Sequence, residues 1–423
     1  MKELAKNKNI VFLIIVAALG YFVDIYDLIL FSVIRVKSLK GLGITNPDQL
    51  LNKGVFLINC QMVGMLIGGI LWGILGDKKG RLWVLFGSIL TYSIANIANG
   101  FVVNVEQYAI LRFIAGVGLA GELGAGITLI TESMSKENRG YGTMLIAGIG
   151  LLGAVVAAQV GGHFDWQTAY LVGGIMGLVL LVMRIGVFES GMFHKVKTAN
   201  VEKGNFLMLL SSGNRFKRFI NSILIAVPVW FVIGILVTFA DNFGKAMGAT
   251  EELNPGKGIM YAYIGIALGD FLSGTLSQVF KTRKKIVYAF LTATLFSVLY
   301  FLNSRGFNAQ FFHIMCFIMG LATGYWVVFV TMGAEQFGTN LRATVATSVP
   351  NFVRGSVVLV TLAFKALISS VGVINSGLIV GCTTIFIAYI ALWNLEETYG
   401  KDLDYVESDS HSTIKKHSAV TDN

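Results

Sequence analysis

The sequence predicts an all-α protein that is embedded in a membrane. Of its 423 residues, 55% are hydrophobic and only 13% are charged, and the mean hydropathy is +0.70. A soluble domain carries about twice that charged fraction. The chain has 4 prolines, which fits long uninterrupted helices, and 49 glycines, which fits helices that pack closely through small residues.

Twelve apolar segments are long enough to cross a bilayer, which needs about 20 residues per helix. An even number of crossings places both ends of the chain on one side of the membrane. Charged or turn-rich stretches limit these predicted spans, which run near 10–34, 54–76, 82–101, 106–131, 141–161, 168–190, 216–240, 257–280, 285–303, 308–334, 346–370 and 373–394.

Lysine and arginine are concentrated on one side of the spans. Of the 33 basic residues, 22 flank the spans on the side of the N-terminus and 7 lie on the opposite side. The positive-inside rule therefore places both termini in the cytoplasm. This asymmetry accounts for most of the net charge of +9, so nucleic-acid binding is not expected. We expect the first outer loop, with Arg35, Lys37, Lys40 and Lys53, to be solvated; attraction of anions is the alternative.

The two halves of the chain repeat one another. GGILWGILGD at 68–77 aligns with GDFLSGTLSQ at 269–278, an offset of 201, and a basic cluster follows each segment. Glu132 and Arg139 recur as Glu335 and Arg342, an offset of 203. The repeat predicts two six-helix bundles over 1–190 and 216–400, a cytoplasmic central loop over 191–215, and a polar cytoplasmic tail over 401–423. Such repeats are the architecture of alternating-access transporters.

The segment GILGDKKGRL at 73–82 resembles the loop motif of the major facilitator superfamily, G-x-x-x-D-[RK]-x-G-R-[RK]. Leu82 departs from the pattern, and the residues that fit it are Gly73, Asp77, Lys78, Gly80 and Arg81. The resemblance covers residues 10–405 and implies twelve helices in two pseudo-repeats, with these residues and Glu132, Arg139, Glu335 and Arg342 at a cytoplasmic gate. We expect Asp77 to face the positive N-terminal end of a neighbouring helix, span 11.

Within that superfamily, GLAGELGAGITLITESMSKENRG at 118–140 is similar to the metabolite:proton symporter family, with Ala120 and Ser135 replacing a glycine and a proline of its pattern. DIYD at 24–27 is similar to the D-G-[FY]-D of aromatic-acid:proton symporters. The ends of spans 6 and 12 also resemble those of metabolite and sugar symporters. The resemblance implies transport of a metabolite and leaves its identity open.

Asp24 and Asp27 lie within the first span. A charge near the bilayer centre is costly and is a functional candidate by default. The two carboxylates are three residues apart and share a helix face, and two buried acids side by side favour proton binding by at least one of them. The alternative is a permanent buried network that fixes helix packing.

Two charged residues of span 4 join this group. In sugar and metabolite symporters, residues resembling Asp27 and Arg112 are paired, which implies a switch that protonation of Asp27 releases. Glu122 lies ten residues beyond Arg112, nearly three turns along a helix. It is a candidate proton relay or gate support, or a hydrogen-bonded structural acid. The predicted proton-coupling residues are Asp27, Asp24, Arg112 and Glu122.

The second half supplies candidates for substrate binding. Arg354 of span 11 is placed either on a substrate carboxylate or in a pair with Asp270 or with an acid of the first half. Aromatic residues in spans 1, 7 and 10 are candidates for the cavity wall, or for packing: Tyr21, Trp230, Tyr325 and Trp326.

The leading hypothesis is a proton-driven symporter that imports a small polar metabolite, with an exporter or uniporter as the alternative. The basic residues favour a carboxylate or a zwitterion: an organic acid, an amino acid or a carboxylate siderophore. The sequence shows no nucleophile–base set, no metal-spaced His/Cys group and no phosphate-binding loop, so no enzyme, metal or cofactor is predicted. The partners expected are protons, the substrate and the lipid bilayer, for a monomer in a bacterial inner membrane.

Overall fold

A computed structural model describes residues 8–79, 81–122, 139–189 and 206–401, and residue 407. The described part is helical throughout, apart from short turns, and contains no strand. The first half contributes α1 (Lys8–Gly41), α2 (Pro47–Lys79), α3 (Arg81–Asn99), α4 (Val105–Leu119), α5 (Arg139–His163) and α6 (Trp166–Glu189). A 3₁₀ turn, Phe206–Leu209, precedes the second half.

The second half contains more and shorter helices. They are α7 (Gly213–Leu224), α8 (Val227–Phe231), α9 (Ala240–Met247), α10 (Pro255–Val279), α11 (Lys284–Asn303), α12 (Ala309–Thr323), α13 (Trp326–Glu335), α14 (Thr339–Gly355) and α15 (Val357–Asn394). A π-helical turn, Val232–Val237, joins α8 to α9. We call α1–α6 the N-terminal half and α7–α15 the C-terminal half.

Within the described residues, nine segments are long and apolar enough to cross a membrane. The last, Asn340–Asn394, has 55 residues, more than twice the length that one crossing needs. It is interrupted at Gly372, whose φ of +78° is a left-handed conformation that glycine adopts without strain. The interruption falls between the predicted spans 11 and 12. The predicted all-α membrane fold is confirmed.

Spans 7 and 10, predicted as continuous helices, are broken. Span 7 is interrupted between α7 and α8, just before Pro228, and span 10 stops at Gly324. Gly324 lies so close to α10 that a Cβ there would meet the backbone of Gly269 at 2.5 Å. The Tyr325 hydroxyl donates to the Ile225 carbonyl across 2.9 Å, which satisfies a backbone acceptor that the break in span 7 leaves open. The two breaks are therefore tied together.

The halves meet along two pairs of helices, α2 with α14 and α5 with α10. At an offset of about 200 residues these pairs are equivalent, since α2 repeats as α10 and α5 as α14. On α14, the Asn351 side chain donates to the Ala120 carbonyl at 2.8 Å, and on α15 Thr361 bonds Asn59 of α2 at 2.7 Å. The interface is therefore hydrogen-bonded as well as packed.

Two sides of the bundle are named for reference. The near side carries Lys8, the start of α11 and the end of α15, and the far side carries the turn between α1 and α2. Helix α1 continues to Gly41, seven residues beyond the predicted end of span 1. Arg35 and Lys37 are therefore helical, and the predicted outer loop is shorter than expected.

Candidate transport site

Asp24 lies at the middle of α1 and is fully buried. Its Oδ2 lies 3.4 Å from Nη2 of Arg354, which α14 supplies from the C-terminal half. Arg354 is 1% exposed, and its Nε and Nη1 have no hydrogen-bond partner among the described residues. A buried polar atom without a partner costs about 1–3 kcal/mol. The pair joins the two halves at their centre and leaves donors of Arg354 open.

Tyrosines surround this pair. Tyr21, one turn before Asp24, lies within electrostatic range of Arg354, Asp24 and Asp270, and Tyr263 of α10 lies within range of Tyr21 and Arg354. Tyr21 packs its ring against Gly150 of α5, where any Cβ would collide with it. The structure thus brings Tyr21, Asp24 and Arg354 together.

Asp27 is also fully buried, but it faces the N-terminal half. Its Oδ1 packs against Gly173 of α6, and Asn96 of α3 lies beside it. Among the described residues, neither oxygen of Asp27 meets hydrogen-bond geometry and no cation forms an ion pair with it. The expected contact with Arg112 is not formed in this conformation, although Arg112 remains within electrostatic range.

Arg112 occupies an aromatic cage. It donates to Oε1 of Gln61 on α2, and its guanidinium carbon lies 5.2 Å from the ring centre of Phe31 and 5.8 Å from that of Tyr170. The face of an aromatic ring attracts a cation, which partly compensates the loss of water. Arg112 Nε and Nη1 have no partner in the described part of the chain. The aromatic cage therefore holds the Arg112 guanidinium near Asp27, but the two groups do not form an ion pair.

Glu122 pairs with Arg184 of α6, a residue that sequence reasoning left without a role. Arg184 Nη1 lies 3.1 Å from Glu122 Oε2, and Nη2 contacts Oε1. Gly20 of α1 packs directly against both groups, so a side chain there would displace them. Both residues belong to the N-terminal half. This geometry is the one expected if Glu122 is a hydrogen-bonded structural acid. A role of Glu122 in proton coupling stays a prediction.

Asp270 caps the second part of the broken span 10. Its Oδ1 accepts from the backbone N–H of Val327 at 3.2 Å, in the first turn of α13, where the helix dipole favours an anion. Oδ2 of Asp270 and Nε1 of the buried Trp326 have no partner among the described residues. Asp270 does not form an ion pair with Arg354, which was one of the expected partners. Trp230 is buried in α8, which packs against α15 and α14.

Arg35 connects the halves on the far side. Its Nη2 lies 2.6 Å from Asp241 Oδ1 of α9 and 3.3 Å from the Thr238 carbonyl, and its guanidinium carbon lies 4.6 Å from the ring centre of Phe239. Arg35 is fully buried, so the prediction of a solvated loop is wrong at this position, because a partner half-way along the chain takes up its charge. Lys37 and Lys40 are exposed, as expected.

On the near side, Glu335 receives Arg283 Nε at 2.7 Å and Nη2 at 3.0 Å, and Thr398 donates to it at 2.7 Å. Arg283 belongs to the basic cluster that repeats the one at 78–81. Arg342 donates to the Phe337 carbonyl at 3.3 Å. Gly73 lies in the last third of α2. Gly80 and Glu132 lie outside the described residues, as do the side chains of Asp77, Lys78, Arg81 and Arg139.

Sequence reasoning missed three contributors to these groups: Gln61, Arg184 and Asp241. Gln61 and Arg184 had a usable signal, since each is a polar residue inside an apolar segment. Asp241 had none, because it follows the predicted end of span 7 and meets Arg35 across 206 residues of chain. Among the described residues, no cluster of His, Cys, Asp or Glu is suited to hold a metal ion.

Two helical bundles that meet around ion pairs, with interrupted helices in the second bundle, have the architecture of membrane transporters built from repeats. A sequence profile of the Major Facilitator Superfamily matches residues 17–373. The chain belongs to this superfamily and is a multi-pass membrane protein.

Named relatives are transporters. The chain is 26% identical to a niacin transporter of Acinetobacter baylyi over 368 residues, which cover 78% of the chain and 80% of the relative. It is 24% identical to a sialic acid transporter of Escherichia coli, with coverage of 83% and 91%. It is 26% identical to a 3-(3-hydroxy-phenyl)propionate transporter of Escherichia coli, with coverage of 68% and 71%. These similarities support a transporter of small molecules.

Proposed function

We propose that the protein is a proton-coupled symporter that takes up a small organic carboxylate by alternating access. The observation that carries the proposal is the arrangement of two buried acids on α1. Asp24 meets Arg354 of the other half, and Asp27, one turn away, has no ion-pair partner in the described structure. One acid is thus placed at the junction of the halves and the other is free to bind a proton.

Arg354 is the proposed receptor for the substrate carboxylate. Its Nε and Nη1 are buried and have no hydrogen-bond partner among the described residues, and its contact with Asp24 is long at 3.4 Å. A hydrogen bond between a guanidinium and a carboxylate is among the stronger ones in proteins. Niacin, sialic acid and 3-(3-hydroxyphenyl)propionate, the compounds in the relatives' names, are all carboxylic acids. Tyr21, Asp270, Tyr325, Trp326 and Trp230 stay candidates for the surrounding wall.

Asp27 is the proposed proton carrier. Proton binding removes one buried negative charge, and substrate binding adds another, so the fully loaded centre has the same net charge as the empty one. The protein changes between its outward and inward states at lower electrostatic cost when the charges of the central site balance than when one charge is in excess. Coupling follows, because a carrier loaded with only one of the two is disfavoured in the crossing.

The near side is the proposed cytoplasmic side of a bacterial inner membrane. The basic residues flank the spans mainly on that side, as the positive-inside rule requires. Each half then moves as a body, and the near-side and far-side contacts open in alternation.

The test uses purified protein in liposomes that contain a pH-sensitive dye. Nicotinate, N-acetylneuraminate or 3-(3-hydroxyphenyl)propionate is added outside, with nicotinamide as a control that replaces the carboxylate of nicotinate by an amide. We expect at least one acid to acidify the lumen, and nicotinamide to have no effect. Arg354→Gln abolishes the signal, whereas Arg354→Lys, which keeps the charge, retains part of it. Transport without proton movement, or with proton movement in the opposite direction, would replace symport by uniport or export.

A further inference from the structure

A chain of three buried hydroxyl groups runs along the far-side part of the N-terminal half. Ser38 lies three residues before the end of α1, Tyr108 lies in the first turn of α4, and Tyr170 lies in the second turn of α6. The Tyr108 and Tyr170 hydroxyl oxygens are 2.6 Å apart, and Tyr108 donates to Ser38 Oγ at 3.3 Å. All three side chains are fully buried.

The inner end of this chain lies at the cage of Arg112. The Tyr170 ring is one wall of that cage, and Tyr170 lies within electrostatic range of both Arg112 and Asp27. Ser38 and Asp27 are eleven residues apart on α1, a distance of about 16 Å along a helix axis. The hydroxyl chain therefore extends from the far-side end of α1 toward Asp27, the proposed proton carrier.

We propose that Ser38, Tyr108 and Tyr170 form a proton relay between the far side and Asp27. The inference rests on the proposed function, since it supplies the route by which Asp27 is loaded. In each transfer a hydroxyl accepts one proton and passes on its own. All three hydroxyls end neutral, and the Asp27 carboxylate ends as a carboxylic acid.

The relay is gated at its outer end. Ser38 Oγ donates to the backbone carbonyl of Arg35 at 3.2 Å, and the Arg35 side chain closes the far side through Asp241. Trp166 covers Tyr108, with ring centres 6.3 Å apart. Separation of Arg35 from Asp241 frees the end of α1 and admits water to Ser38. Asp27 is thus loaded from the far side only when that side is open.

Either tyrosine can be the donor in the bond between them; while Tyr108 donates to Ser38, Tyr170 is the donor to Tyr108. In this arrangement the hydroxyl hydrogens point away from Asp27, so transfer of a proton toward Asp27 requires the opposite orientation of the hydroxyls. The reversal needs only rotation about C–O bonds, without movement of the rings. The other charged or titratable groups in range of Asp27 are Asp24, Arg112, Tyr26 and Tyr92.

Tyr26 provides a matched control. It is buried beside Asp27 on α1, and its hydroxyl donates to the Ala169 carbonyl at 2.8 Å, next to Tyr170 and outside the chain of hydroxyls. Tyr26→Phe removes one buried hydroxyl from the same region as Tyr108→Phe and Tyr170→Phe do. It leaves every link of the relay intact.

The experiment follows protonation of Asp27 directly, in full-length protein in lipid nanodiscs. After a rapid drop in pH, time-resolved infrared absorption records the carbonyl band of protonated carboxylic acids, and Asp27→Asn identifies the Asp27 component. The proton is the only ligand required. We expect Tyr108→Phe and Tyr170→Phe to slow this component at least tenfold, with its final amplitude unchanged. We expect Ser38→Ala to slow it as well, and Tyr26→Phe to leave it at the wild-type rate.

A purely structural role for the hydroxyls would not produce this pattern. A relay of several hydroxyls also gives the wild-type rate a solvent isotope effect in D₂O that the Phe variants lose. Wild-type rates in Tyr108→Phe, Tyr170→Phe and Ser38→Ala would overturn the relay and leave Asp27 as the proton carrier. If Asp27→Asn removed no component, the proton carrier and the relay that ends on it would fail together.

Discussion

Asp24 and Asp27 are one turn apart on the same helix and are equally buried, yet their surroundings differ. Asp24 meets a cation from the C-terminal half, whereas Asp27 is enclosed by α3, α4 and α6 of its own half. The same division separates two other buried pairs: Arg35–Asp241 crosses between the halves, and Glu122–Arg184 lies within one.

Ion pairs that cross between the halves respond to relative movement of the halves, and pairs within one half do not. In the proposed rocking of the halves about the central site, a contact that crosses between them must change, whereas a contact within one half moves with that half as a rigid body. Crossing pairs therefore set the balance between open and closed states. Pairs within one half set the stability of that half or hold a charge ready for titration.

The largest expected effect concerns the pair within the N-terminal half. Glu122→Gln leaves Arg184 buried without its counter-charge, and the loss of one partner of a buried pair costs about 3–5 kcal/mol. Thermal unfolding of the protein in nanodiscs measures the loss. The double variant Glu122→Gln with Arg184→Met, which removes both charges, is expected to regain much of it. Wild-type stability in Glu122→Gln would show that the pair carries little of the stability of its half.

An intermediate effect is expected at the crossing pair on the far side. Asp241→Asn weakens the hold on Arg35, so the far side opens more often. A single cysteine placed by Val33→Cys, beside Gly256 of α10, should react about tenfold faster with a membrane-impermeant maleimide, equivalent to about 1.4 kcal/mol. Native Cys60, Cys316 and Cys382 are replaced beforehand.

Lys37→Ala is the matched control for this prediction. Lys37 is a basic residue of the same helix end, but it donates to the Gly161 carbonyl at 2.7 Å, within the N-terminal half. It should leave the labelling rate unchanged. Equal rates in Asp241→Asn and Lys37→Ala would contradict the distinction between crossing and internal contacts.

The smallest effect is expected at Glu397, beyond the end of the last helix. Burial raises the pKa of its carboxyl, but hydrogen bonds from Thr282 and from the backbone N–H groups of Arg283, Tyr399 and Lys284 outweigh this and hold the pKa at about 2. The folded-state pKa lies below the unfolded value of about 4.3. The stabilisation is therefore complete above that value and is lost as the pH falls toward 2.

Because Glu397 is largely exposed, we expect Glu397→Gln to cost only about 1 kcal/mol at neutral pH, after allowance for solvent screening. Glu396→Gln, at the neighbouring exposed carboxylate, should cost less. Unfolding measured across pH 2–7 distinguishes them, and a wild-type pH profile in Glu397→Gln would contradict the assignment.

The sequence predicted much of this architecture because bilayer length, charge asymmetry and the internal repeat are local or periodic signals. The break near Gly372 and the central position of Asp24, Asp27 and Arg354 followed from them. The breaks in spans 7 and 10 could not be predicted in this way, because the hydropathy of a segment is the same whether its helix is continuous or interrupted. The break at Gly324 depends on Gly269, 55 residues earlier, and its cap depends on Asp270.

Pairing of charges was the least predictable feature. A buried arginine can be recognised from the sequence, but its partner depends on helix rotation and on which conformation the halves adopt. Arg354 was assigned several partners, and the structure selects Asp24. Arg112 was assigned Asp27, and the structure places it on Gln61 and two aromatic rings.

If Asp27 couples protons to transport, its replacement must remove accumulation of substrate under an imposed pH gradient. Proteoliposomes with wild type, Asp27→Asn or Asp24→Asn receive the acid that proved to be transported, first with a gradient of two pH units and then in counterflow without one. One proton per monovalent acid allows accumulation of up to about 100-fold, or about 2.7 kcal/mol. We expect Asp27→Asn to abolish accumulation while counterflow persists, and Asp24→Asn to alter both. Gradient-driven accumulation at the wild-type level in Asp27→Asn would contradict the account.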